Sequence, residues 1–274
     1  MFDPKTKLFN YPEDTSGHYI DVDMDRGIIF DKNYPYIDKS KGFAFKRFWV
    51  RFMLNILVFP VAKIRMGIKV KGKYNLRKNR RLLKDGCISI SNHVHFWDYI
   101  MLMRTVRRIS WPHVIVWNKN VNGKDGPLVR LVGGIPIPEN DVEATVEFNK
   151  TIKNALEAHK IIHIYPEGSM WEYYAPIRPF HSGAASFSIK YNKPILPIGY
   201  SYRKPGWIRR KIFKQIALFN INIGEPLYPN PDLEKTEQLN DLTTRCHKAI
   251  CELTGSNENL YEAIYNHSKR VDYY

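Results

Sequence analysis

The residues in this sequence best placed to do chemistry are Ser91-Asn92-His93-Val94-His95-Phe96-Trp97-Asp98. The preceding run, Cys87-Ile88-Ser89-Ile90, has the apolar, β-branched character of a buried strand, and the residues from Asp98 to about Arg108 have helical periodicity. His93 therefore sits at a strand end and Asp98 at a helix start, where the helix N-terminus favours a carboxylate. If Asp98 accepts the Nδ1 proton of His93, Nε2 is left free to take a proton from an alcohol. This is the logic of a Ser-His-Asp triad with the substrate hydroxyl in the place of serine, and it needs no protein nucleophile. A His and an Asp five positions apart are, taken alone, more often a core histidine and a capping aspartate.

The company these residues keep changes that balance. Asn92, His93 and Asp98 match an N-H-x4-D block, and Tyr165-Pro166-Glu167-Gly168-Ser169 is close to F-P-E-G-T. Pro179-Phe180-His181-Ser182-Gly183-Ala184 follows P-F-K-x-G-A, Ile195-Leu196-Pro197-Ile198 follows I-V-P-V, and Gly224-Glu225-Pro226 looks like a closing strand and turn. In this order the chain resembles the PlsC-like glycerolipid acyltransferases over residues 72 to 253. The resemblance implies transfer of a fatty acyl group from a thioester of coenzyme A or acyl carrier protein to a lysophospholipid hydroxyl, most simply that of 1-acyl-sn-glycerol-3-phosphate, in phospholipid biosynthesis. It implies His93 as general base and Asp98 as its orienting partner, with Asn92, Lys119, Glu167, Gly168 and Ser169 at the substrate. The thioester is a co-substrate, and no cofactor or metal is implied.

Two departures concern the acceptor. Glu139 stands where the family's second block usually has arginine, and Met170 stands where arginine often follows E-G-T. A guanidinium binds phosphate oxygens in a bidentate way, whereas glutamate repels them. Lys119, Arg178 and His181 are then the candidates for holding a phosphate. The alternative is a different, phosphate-free lipid alcohol as acceptor.

Readings from other classes are weaker. His93-Val94-His95 invites comparison with the H-x-H-x-D-H block of metal-dependent hydrolases, but Asp98 is one position late and Tyr99 replaces the last histidine. A non-catalytic membrane-binding protein would tolerate loss of His93 or Asp98, and both are present.

The elements that must hold these residues follow from periodicity. Further strands are predicted at Val114 to Val116, Ile161 to Tyr165, Ile195 to Tyr200 and Ile216 to Ile223. A long helix capped by Asn140 or Asp141 reaches about His159, and a last helix spans about Glu237 to Leu253. Alternation of this kind predicts one α/β domain with a central mixed sheet flanked by helices. Residues 1–42 read as an irregular N-terminal arm, 43–72 as an apolar basic interface segment and 73–274 as the acyltransferase domain.

The formal net charge of +15 calls for an anionic partner, and 14% aromatic content calls for a use. No RNA-binding aromatic signature accompanies the charge, which argues against nucleic acid. In Phe45 to Lys73, and again in Arg203 to Lys214, cations interleave with large apolar groups, as docking on an anionic membrane requires. Neither stretch has the ~20 apolar residues that span a bilayer. With no secretory signal and three cysteines (Cys87, Cys246, Cys251) without paired spacing, the expectation is a peripheral protein on the cytoplasmic face of a membrane.

Overall fold

The computed structural model describes residues 26–256, together with 2–3, 8–9, 11–12, 14 and 17–18. The rest of the predicted arm, and the end of the predicted acyltransferase domain beyond 256, lie outside the described residues.

Two short strands, β1 (Phe2–Asp3) and β2 (Leu8–Phe9), pair antiparallel. The main sheet has seven strands: β3 (Lys69–Lys71), β4 (Cys87–Ser91), β5 (His113–Val116), β6 (Gly134–Pro136), β7 (Ile161–Ile164), β8 (Ile195–Arg203) and β9 (Leu218–Ile223). Their order is β3-β9-β8-β4-β7-β5-β6, parallel throughout except where β8 meets β9. This is the predicted α/β domain with a mixed sheet. The short strands β3 and β6 were not legible, because three residues are too few to show a period.

Alternation along the central strands divides the core in two. Cys87, Ile161, Leu196 and Ile198 enter one cluster with Met101, Leu102 and Val106 of the helix Asp98–Val106. Ile88, Ile90, Ile162 and Ile195 enter the other, with Phe148 and Ile152 of the helix Val142–Glu157 and Leu242 and Ile250 of the helix Lys235–Thr254. A strand buried on both faces is what covering a parallel sheet with helices produces. All five residues of β4 are buried, which fixes the base of the turn that carries His93. Asp141 caps the helix Val142–Glu157, accepting from the Ala144 N–H at 3.0 Å.

The basic apolar segment is helical from Lys41 to Arg65, with a π-turn at Leu54–Val58 between the helices Lys41–Met53 and Phe59–Arg65. Pro60 falls in the first turn after the π-turn, where its missing N–H costs least. The interfacial and buried-core readings of this segment make opposite demands on its surface, and much of that surface is open. Phe45, Phe48, Trp49, Ile56, Leu57 and Ile64 are all exposed. Among the described residues no helix is long and apolar enough to cross a membrane.

Candidate active site

β4 lies between β7 and β8, and the chain leaves it toward β5 on the far side of β7. Ligands of open α/β sheets gather at the carboxyl ends of strands, where the direction of winding reverses. The turn after β4 and the loop after β7 meet at such a place.

His93 Nδ1 lies 3.1 Å from Asp98 Oδ2, and the same oxygen accepts the Val94 N–H at 2.6 Å and the His95 N–H at 2.9 Å. Asp98 thus ties the turn to its own helix while orienting the imidazole. Its side chain is fully buried, whereas that of His93 is 25% exposed. Burial pushes the Asp98 carboxyl up to about 7, opposed by His95 and the two backbone N–H groups. Burial, and then the charge of Arg178, push the His93 imidazole down to about 3. At neutral pH His93 is therefore an uncharged ring, the form a general base requires.

The loop after β7 carries the second part of the site. Glu167 is buried, and its Oε2 accepts from Arg178 Nη2 at 2.9 Å and, at 3.5 Å, from the backbone N–H of His93. Arg178 also donates to the carbonyls of Glu167 and Ser169 and lies over the Trp171 ring, its guanidinium carbon 4.5 Å from the centroid. Burial pushes the Glu167 carboxyl up, and Arg178 beside it opposes that shift. The backbone then closes on the His93–Asp98 turn: Trp171 N–H donates to the His93 carbonyl at 3.0 Å, and Tyr173 N–H to that of Val94 at 2.8 Å. Gly168 takes φ +76°, and a Cβ there would lie 3.1 Å from His181 Nε2, so both backbone conformation and space favour glycine.

The other sequence-predicted residues divide by location. The Asn92 side chain is buried and exchanges two hydrogen bonds with the Tyr200 backbone, at 3.0 and 2.8 Å, fastening β4 to β8 behind the site. Ser169 is buried on the Glu167 loop. Lys119 is exposed beyond β5, its ammonium 4.5 Å from the centroid of the Trp117 ring. Glu139 accepts from Trp117 Nε1 at 3.1 Å, so Glu139 and Lys119 meet the same indole. His95 turns into an aromatic pocket, 5.2 Å from Tyr173 and 5.3 Å from Phe219, with Glu172 Oε1 3.8 Å from its Nε2. Among the described residues no three His, Cys, Asp or Glu side chains gather as a metal-ligand set.

Sequence reasoning missed the layer beneath His93. Tyr165 stacks on the imidazole with centroids 3.8 Å apart, and His163 meets the Tyr165 ring edge-on at 4.5 Å. His163 is fully buried between Ser89 Oγ at 2.9 Å and Ser91 Oγ at 3.2 Å. The available signal was period two: residues 89 and 91 share one face of β4 and 163 lies on β7, with 93 and 165 continuing the same alternation just past the strand ends.

The family model of the Acyltransferase family matches residues 67–201, which include the His93–Asp98 turn and the Glu167 loop. Residues 67–201 form an acyltransferase-family domain. The matched residues of the acyltransferase begin just before β3 and end within β8, so the helical segment 41–65 precedes them and β9 with the last helix follows. No curated protein matches the chain. Among solved structures it is similar to the 1-acyl-sn-glycerophosphate (LPA) acyltransferase PlsC from Thermotoga maritima, at 15% identity, covering 80% of this chain and 90% of that one with a TM-score of 0.45.

Proposed function

We propose that this acyltransferase moves a fatty acyl group from a coenzyme A or acyl carrier protein thioester to the hydroxyl of a lysophospholipid, 1-acyl-sn-glycerol-3-phosphate first among them, at an anionic membrane surface. The observation that carries the reading is the His93–Asp98 pair, an uncharged and partly exposed imidazole held by a buried carboxylate.

In this reading His93 Nε2 takes the acceptor's hydroxyl proton as the oxygen attacks the thioester carbonyl. The tetrahedral intermediate collapses, breaking the C–S bond, and the leaving thiolate takes the proton back from the imidazolium. The products are an ester and a free thiol. Asp98 stabilises the transient imidazolium, and the Glu167–Arg178 pair holds the loop against the His93 backbone.

Membrane docking is supported by surface chemistry. Arg209 Nη1 donates to the Ile64 carbonyl at 2.8 Å and to the Arg65 carbonyl at 3.3 Å, which joins the two basic apolar stretches into one surface. Ile64 is 68% exposed, and on the other stretch Trp207 and Phe213 are 64% and 68% exposed. Apolar side chains held open among arginines and lysines suit the boundary between acyl chains and lipid phosphates.

A second acceptor reading has a specific observation behind it. Arg178, the one arginine of the Glu167 loop, is turned inward onto Glu167, and Glu139 shares the Trp117 ring with Lys119. A phosphate-free lipid alcohol would need neither cation. A panel of lysophosphatidic acid, other lysophospholipids and phosphate-free monoacylglycerols, each offered acyl-CoA and acyl carrier protein thioesters and read by mass spectrometry, tests both. Transfer to lysophosphatidic acid above all others supports the first acceptor. No transfer to any hydroxylated lipid from either donor would overturn the reading.

A further inference from the structure

We infer that Tyr165 is a positioning residue for proton transfer, its ring face lying against His93 and stabilising the imidazolium that forms when the base takes the acceptor's proton. The inference rests on the acyl-transfer reading above and adds to it a residue whose role is to favour one charge state of the base.

The geometry is specific. The two rings are stacked with centroids 3.8 Å apart and planes 13° apart, so His93 lies on the π-face of the phenol ring. That face carries the negative part of the ring quadrupole and attracts a cation more than a neutral ring. An interaction that strengthens only as charge develops accelerates the chemical step instead of merely tightening binding. Tyr165 is itself held from below. The His163 ring meets it at 87°, and the Ser89 and Ser91 hydroxyls fix that histidine from both nitrogens.

The phenol hydroxyl does not account for the residue, since Tyr165 Oη is buried without a hydrogen-bond partner among the described residues. An orphaned hydroxyl costs stability, so it is the ring that this position uses. The charged and titratable groups that face His93 fall into two sets. Arg178 disfavours a positive charge there, and burial adds to it. Asp98 and the Tyr165 ring face favour it. With burial and Arg178 opposing protonation, a second stabilising contact besides Asp98 has a clear use.

The test places phenylalanine and then its 4-fluoro, 3,5-difluoro and 3,4,5-trifluoro analogues at position 165 of the full chain, and adds Tyr165→Leu. Fluorine drains the ring face while changing shape little, so a structural role would not respond to it. Tyr165→Phe should keep kcat within about twofold and unfold at a higher temperature, because only the orphaned hydroxyl is lost. Along the fluorinated series kcat should fall stepwise with KM unchanged, and Tyr165→Leu should lose roughly 2- to 30-fold, the range from an exposed to a desolvated cation–π contact. A flat kcat across the series, or a large loss in Tyr165→Phe, would overturn the inference while leaving the acyl-transfer reading intact. Wild-type protein that transfers no acyl group to any lipid acceptor would overturn that reading instead.

Discussion

Arg178 and Glu167 form an ion pair at 2.9 Å with both side chains almost wholly removed from solvent. The pair holds the loop after β7, and Glu167 also reaches the His93 backbone N–H. Desolvating two charges is costly, and the interaction repays it only while both partners remain. Arg178→Ala should therefore destabilise the domain by about 3–5 kcal/mol, since it strands a buried carboxylate. Denaturant unfolding monitored by tryptophan fluorescence measures this. A loss below 1 kcal/mol would show that the loop does not depend on the pair.

The dyad predicts a different separation of effects. His93→Ala removes the base and should lower kcat by ~10²–10⁴-fold or more with the fold intact. Asp98→Asn should also lower the rate by disfavouring the working tautomer, and it should destabilise the turn, because Oδ2 also holds two backbone N–H groups. Circular dichroism beside acyl-transfer kinetics separates the two losses. Wild-type turnover in folded His93→Ala protein would end the mechanism.

Lys119 is exposed and lies over the Trp117 ring, whose Nε1 donates to Glu139. If it meets the acceptor's phosphate, Lys119→Ala should raise the KM for lysophosphatidic acid severalfold and change the KM for the acyl thioester little. The comparison with a phosphate-free monoacylglycerol is the control. An equal effect on both acceptors would remove Lys119 from phosphate recognition.

Liposome flotation addresses the joined surface. Binding should require anionic lipid and weaken with salt, since cations near such a leaflet contribute about 1 kcal/mol each. Making Trp207, Ile208 and Phe213 polar should reduce it further, by removing burial that salt does not screen. Equal background sedimentation with neutral and anionic vesicles would exclude docking. Resistance to both salt and carbonate would indicate deeper insertion than these helices provide.

His113 gives a pH prediction away from the dyad. Burial pushes its imidazole down to about 4, although its Nδ1 lies 3.3 Å from the Gly133 carbonyl. The unfolded chain, with an ordinary histidine near 6.5, then binds the proton before the folded one does. Stability from His113 is fully present above about pH 6.5 and is lost as the pH falls toward 4, by about 3 kcal/mol over the window. Replacing it, as in His113→Asn, should flatten the fall of Tm between pH 6.5 and 4 by close to one proton, whatever the variant's absolute stability. Parallel wild-type and variant curves would contradict the linkage.

Much of this arrangement was legible because it is local. The buried run of β4, the turn and the opening of the next helix occupy residues 87 to 98, so one short stretch places base and orienting carboxylate together. A cap at Asn140 or Asp141, the long helix behind it and the alternation of the central strands were readable for the same reason, and the structure assigns the cap to Asp141. The meaning of the remaining blocks was not, because it depends on partners far apart in the chain. Asn92 read as a substrate contact, yet its side chain is engaged by the Tyr200 backbone, 108 residues on. Arg178 read as a candidate for phosphate, and only folding turns it inward onto Glu167. Likewise the stacking of Tyr165 on His93 exists because β7 enters the sheet beside β4, a pairing that no local period encodes. Sequence determined which chemical groups are present and the short-range turns that aim them. Tertiary structure decided which charges are neutralised internally and which face outward, because burial and pairing belong to the packed sheet as a whole.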